Sequence, residues 1–151
     1  MKPYDQEQFD KVLGDLLEDS RVCRMKDYVQ HGSITTYDHC RNVACLCQKI
    51  GRRLRLKADE EVMLKGAMLH DYFLYDWHEN YFDENGWHGF SHADIAAQNA
   101  KEDFGIDAQT RHVIQSHMWP LNITHIPRSR EAWIVCLADK CVSGLETIQR
   151  R

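Results

Sequence analysis

Three places in this 151-residue chain put polar chemistry where a helix would ordinarily carry leucine or alanine. Ala67-Met68-Leu69-His70-Asp71-Tyr72-Phe73 sets a histidine and an aspartate side by side in an apolar helical run. His39 shares a helical column with Val43, Leu46 and Ile50, and Asp139 shares one with Val135 and Val142. An isolated charge on such a face costs several kcal/mol unless it is paired or bound to a metal. One polar residue on a core stripe is common, whereas three sets on three stripes point to convergence. Imidazole nitrogen and carboxylate oxygen together suit Mn, Fe, Co, Ni or Zn and, less well, Mg.

The order His39, His70-Asp71, Asp139 resembles the HD-domain superfamily of metal-dependent phosphohydrolases, over about Gly32 to Leu145. The surroundings share the likeness: Thr36-Tyr37-Asp38-His39 opens a helix, Ala67 to Asp71 ends one, and Leu137-Ala138-Asp139-Lys140 lies within a late one. The resemblance implies an all-α, single-domain helical bundle like the HD-domain/phosphodiesterase fold, with His39, His70, Asp71 and Asp139 around a metal. Two-metal members of the superfamily take extra histidines between the HD pair and the final aspartate. His92 and His117 stand there, which would make Asp71 the bridging carboxylate and the cofactor one or two divalent transition metals. The competing account makes His92 a hydrogen-bonder at its helix start and His117 a cap for Asn122 or a loop carbonyl.

The implied reaction is hydrolysis of a phosphate ester, a nucleotide in the first instance, by metal-activated water. Asp71, Lys140 and His88 are the candidate catalytic groups, with Lys140 offered to a phosphate oxygen. Arg128, His78 and Trp87 are candidate substrate contacts, since arginine matches phosphate geometry and the aromatic-rich stretch Tyr75 to Phe90 directly follows the ligands. Exposure is the default for His31, His78, His88, His112 and His125, with His78 and His88 the first to promote. Two readings compete: a di-iron oxygenase built on the same ligands, and a non-catalytic, metal-stabilised regulatory or interaction module. Neither a GxxxxGK[ST] loop, a GxGxxG fingerprint nor an HExxH pair occurs.

A formal net charge of -4 gives no strong nucleic-acid signal and no encouragement to membrane binding, and no apolar run reaches the length of a membrane span. The partner expected is a small-molecule phosphate ester or nucleotide, with a homo-oligomer left open. Six cysteines without a CxxC pair, several on apolar helix faces, read as reduced core thiols. Together with an N-terminus lacking signal-peptide regions, they favour the cytoplasm.

Helical spacing runs from Tyr4 to about Glu18, and Asp19-Ser20 caps a second helix towards His31-Gly32; these N-terminal helices, residues 1–31, would cover the core or build a dimer surface. Ser33 to Thr36 reads as a turn with Thr36 capping a helix to about Leu54, whose basic end reads as a solvated turn complementing the helix dipole. Asp59 caps the helix carrying His70, and Ser91 caps one ending at Gly105. Asp107 caps one through His117, halted by Pro120, and the last helix begins near Ser129 and continues through Leu145. No segment alternates as a strand would.

Overall fold

A computed structural model describes residues 4–76, 82–83 and 86–149, and the side chains of all these except 82–90. Among the described residues the chain is all-α, with seven helices and two short hairpins. Helix α1 (Gln6–Glu18) is capped by Asp5, which accepts from the Gln8 N–H at 3.1 Å, and buries Phe9 and Leu13. The expected second helix is cut short. Only Ser20–Cys23 (α2) and a 3-10 turn, Arg24–Asp27, form. Val22 and Met25 are buried, but Val29, next on their column, is left exposed in a strand, and Gly32, at a φ of +59°, reverses the chain. The result is an antiparallel hairpin, β1 (Val29–His31) with β2 (Ile34–Thr35).

That hairpin sets up α3 (Thr36–Arg53). The cap is Thr35 rather than Thr36: Thr35 Oγ1 accepts from the Asp38 N–H at 3.1 Å, while the Thr36 N–H donates to the Tyr28 carbonyl at 2.8 Å. Asp59 caps α4 (Glu60–Leu69), and Asp107 caps α6 (Ala108–Ser116) by accepting from Thr110 N–H at 2.7 Å. Helix α5 (His88–Phe104) starts three residues before the expected Ser91 and stops at Gly105, φ +61°. The strands β3 (Phe82–Asp83) and β4 (Gly86–Trp87) lead into it, and α7 (Arg130–Gln149) closes the described chain.

Helix α4 is the inner element. It is apolar on nearly every side, as a buried helix must be, and packs against α1, α3, α6 and α7. At Gly66 the approach of α6 is close enough that a Cβ would lie 2.5 Å from Val113 Cγ1 and 2.9 Å from Val113 Cβ. Gly66 and Val113 each stand one helical turn before a histidine, His70 and His117 respectively. The same approach brings those two rings to a centroid separation of 4.7 Å. No helix is long and apolar enough to cross a membrane among the described residues.

Gly66→Ala should therefore destabilise the fold by about 1–3 kcal/mol, because stiff Val113 cannot swing aside without moving α6. Gly14→Ala in α1, where an added Cβ meets nothing within 4 Å, should stabilise it by roughly 0.5–1 kcal/mol. Urea denaturation of both variants beside the parent checks the pair. Equal effects at the two positions would refute the close approach.

Candidate metal centre

Six side chains from five segments meet at Asp71. His39 is in the first turn of α3, His70 and Asp71 follow the end of α4, and His92 is near the start of α5. His117 is the C-cap of α6 and Asp139 lies within α7. All six are buried. The two oxygens of Asp71 face different groups. Oδ2 lies 3.6 Å from His39 Nε2 and 3.3 Å from His70 Nε2, and both nitrogens approach Asp139 Oδ1, at 2.9 and 3.3 Å. Oδ1 lies 3.4 Å from His92 Nε2 and 3.5 Å from His117 Nε2, which are 3.0 Å from one another.

These spacings test whether the residues suit an ion. With metal–nitrogen bonds of about 2.1 Å, two ligands at a right angle stand about 3.0 Å apart and at a tetrahedral angle about 3.4 Å apart. Every separation just given falls between 2.9 and 3.6 Å. Two donor groups result, His39, His70, Asp71, Asp139 and Asp71, His92, His117, and they share Asp71. The donor set fits.

The outward nitrogens are held as well. His70 Nδ1 donates to the Ala67 carbonyl and His117 Nδ1 to the Ile114 carbonyl, each at 2.6 Å, so both Nε2 atoms are aimed inward. His39 Nδ1 donates instead to Glu146 Oε2 at 2.8 Å, a carboxylate only 4 % exposed. Gln30 Nε2 on β1 donates to Asp71 Oδ2 at 3.0 Å. Burial pushes the His39 imidazole down, but hydrogen bonds to Asp139 and Glu146 outweigh it and hold the ring up at about 10. At His70 burial is likewise outweighed, by the Asp71 and Asp139 carboxylates, and the ring is raised well above its usual range. Asp71 and Asp139 are held well below theirs; burial opposes the charge, and the charge of His70 with the imidazole hydrogen bonds prevails. For His117 burial dominates and lowers it. Protons on His39 and His70 thus balance the two aspartates, a role that a cation can take over.

Other expected site residues fare differently. Lys140 is exposed, and its Nζ donates to the carbonyls of His117 and Cys136 at 3.2 and 3.4 Å. It caps the end of α6 beside the centre, and the ammonium expected at a phosphate oxygen is committed to backbone. The backbone N–H of Arg128 donates to His112 Nε2 at 2.9 Å, and Arg130 and Glu131 tie the start of α7 to Lys57 and Asp59. About 13 Å of helical rise separates that start from Asp139. His78 and the side chains of Trp87 and His88 lie outside the described residues. His31, expected in solvent, is partly buried with Nε2 3.9 Å from Glu146, and His112 is partly buried too.

Glu146 and Gln30 escaped the sequence reading. Glu146 carried a signal: it stands seven residues after Asp139 on the column through Val135, Asp139 and Val142, a charge on a buried stripe of the kind that singled out Asp139. Gln30 had none, because its reach to Asp71 depends on a hairpin with no alternating pattern.

The HD domain family model matches residues 36–144 of the chain. No curated protein and no solved structure matches it.

Titration calorimetry with Mn or Zn should resolve two binding steps, the tighter at the four-residue group. His117→Ala should remove only the weaker one. Glu146→Gln should weaken the tighter step by about 10–100-fold, the usual effect of losing a carboxylate behind a ligating imidazole; unchanged affinity would show that Glu146 orients nothing. Because His39 and His70 are raised and hold protons at neutral pH, binding must displace them. Affinity should accordingly rise with pH between 6 and 8, by about tenfold per pH unit for each proton released, with the heat depending on buffer ionisation.

Proposed function

This chain belongs to the HD-domain family, and from that premise we propose that it is a metal-dependent phosphohydrolase acting on a phosphate ester, a nucleotide in the first instance. The observation that carries the reading is Asp71 with its two oxygens turned to two different donor groups. Divalent ions bound there would lower the pKa of a coordinated water towards neutrality and draw charge from the phosphoryl oxygens. The chain's own part is to fix those donors. Asp71 stays ionised within the cluster, and Glu146, Ala67 and Ile114 lock three imidazoles in orientation.

The group of Asp71, His92 and His117 has one protein donor fewer than its neighbour, so it is the side on which a substrate oxygen has room. Lys140 holds the backbone of His117 on that same side. The exposed Met118 to Leu121 connection forms a cavity of about 530 Å³ with Asp139, Lys140 and Ser143, suited to the organic part of an ester. His88 is proposed as the group that protonates the leaving oxygen; it opens α5 one turn before His92. Arg128, Trp87 and His78 are proposed substrate contacts on the same sequence grounds as before.

A second reading has specific support in the donor set. Four imidazoles against two carboxylates also suit iron, and a di-iron oxygenase would use the same six residues. Elemental analysis of anaerobically prepared protein separates the two: an iron spectrum that responds to oxygen favours the oxygenase.

Purified protein loaded with Mn, Co or Ni should release phosphate or a nucleoside from a panel of nucleotides and phosphomonoesters. Asp71→Ala should abolish that activity while far-UV circular dichroism is retained. His88→Asn should lower kcat by about 10²–10⁴-fold with metal content unchanged. A fully loaded protein inert towards the whole panel would reject hydrolysis and favour a metal-stabilised interaction module.

A further inference from the structure

Helix α7 exposes an apolar stripe beside its polar residues Arg130, Lys140, Thr147 and Gln149. Its inner side buries Val135, Ala138, Asp139, Val142 and Glu146. Its outer side carries Trp133, Leu137, Cys141, Gly144, Leu145 and Ile148, an apolar stripe more than about 100° wide along about four turns. Leu137, Leu145 and Ile148 are 54, 58 and 69 % exposed, and nothing lies within 4 Å of a Cβ built on Gly144. The connection into α7 also leaves Leu121, Ile123 and Ile126 exposed and seats Trp119 edge-on against Trp133, with ring centroids 5.2 Å apart. An exposed apolar stripe of this width on a helix is normally covered.

We propose that this face is covered by a second copy of the chain, with the two α7 helices packed antiparallel about a two-fold axis at Cys141. The order of side chains along the stripe supports a copy over an unrelated partner. In a two-fold contact residue i meets j and j meets i, so a self-pairing stripe must read alike from both ends. This one does so about its centre: a leucine stands four residues to either side of Cys141, and Trp133 eight residues before it is answered by Ile148 seven after. Leu137 then meets the partner's Leu145, and Trp133 falls beside the partner's Ile148. Cys141 and Gly144 let the two backbones approach at the crossing. The antiparallel arrangement also opposes the helix dipoles favourably. On the stripe itself Trp133, Leu137, Leu145 and Ile148 are left 37 to 69 % exposed, more than the single apolar residues scattered over a monomer's surface.

The test uses the whole chain in analytical ultracentrifugation, with circular dichroism as the folding control. The parent should sediment at twice 17.8 kDa. Leu137→Glu or Leu145→Glu, both at exposed positions, should retain helicity and weaken association by about 100-fold or more, because each dimer would bury two unpaired carboxylates. A short bismaleimide should join two chains through Cys141, the one exposed cysteine of the six, and Cys141→Ser should abolish the cross-link while remaining dimeric. Cross-linking is read on the parent fold and so does not depend on the glutamate variants. A monomeric parent, leaving the stripe to a different protein, overturns the proposal. So does a dimer indifferent to both glutamates, or one that the reagent does not join at Cys141.

Discussion

The structure depends on a buried carboxylate that cannot stand alone. Asp71 is removed from water at the end of the most apolar helix in the chain, where an uncompensated charge would cost more than most folds have to spare. Its compensation comes from four imidazoles that lie far apart in sequence, and each must arrive with a nitrogen within about 3.6 Å of one of its oxygens. The surrounding helix packing supplies those positions.

Two helical hairpins do so in parallel ways. In the α3–α4 pair, His39 comes from the first turn of one helix and His70 from the end of the next; in the α5–α6 pair, His92 and His117 play the same two parts. Both hairpins direct their open ends to Asp71 and their connections, around Leu54 to Asp59 and Gly105 to Asp107, away from it. The helix-end histidines even use the same device, an Nδ1–H on the carbonyl three residues back. Helix α7 breaks the likeness by giving Asp139 and Glu146 to the first hairpin alone.

The sequence made the cluster legible because each ligand violates a helical pattern that is otherwise well kept. His39, His70, Asp71 and Asp139 interrupt apolar columns, and His92 and His117 stand at helix ends already marked by their neighbours. Caps were legible for the same local reason at Asp59 and Asp107, where a side chain bonds its own backbone. The hairpin before α3 was not, since Val22 and Met25 continue a helical spacing that the chain abandons for contacts made elsewhere. The surroundings of Lys140 and Arg128 were not legible, because sequence adjacency to a ligand says nothing of where a long side chain ends. Lys140 Nζ finds the His117 carbonyl at the end of α6, and the Arg128 backbone, just before α7, donates to His112.

Helix α7 ties these threads together, since it serves two surfaces at once. Asp139 and Glu146 are two turns apart on one side, so the ligand and the carboxylate that orients His39 move as a single rigid body. Any slide of α7 along its axis would break both contacts together, and a one-residue rotation would turn Asp139 out of the centre by about 100°. The centre therefore requires a helix fixed in both position and rotation. Inner packing against α3, α4 and α6 supplies part of that restraint. An apolar outer face, seated on a matching one, would supply the rest from the opposite side and hold the donors within the few tenths of an ångström that coordination needs.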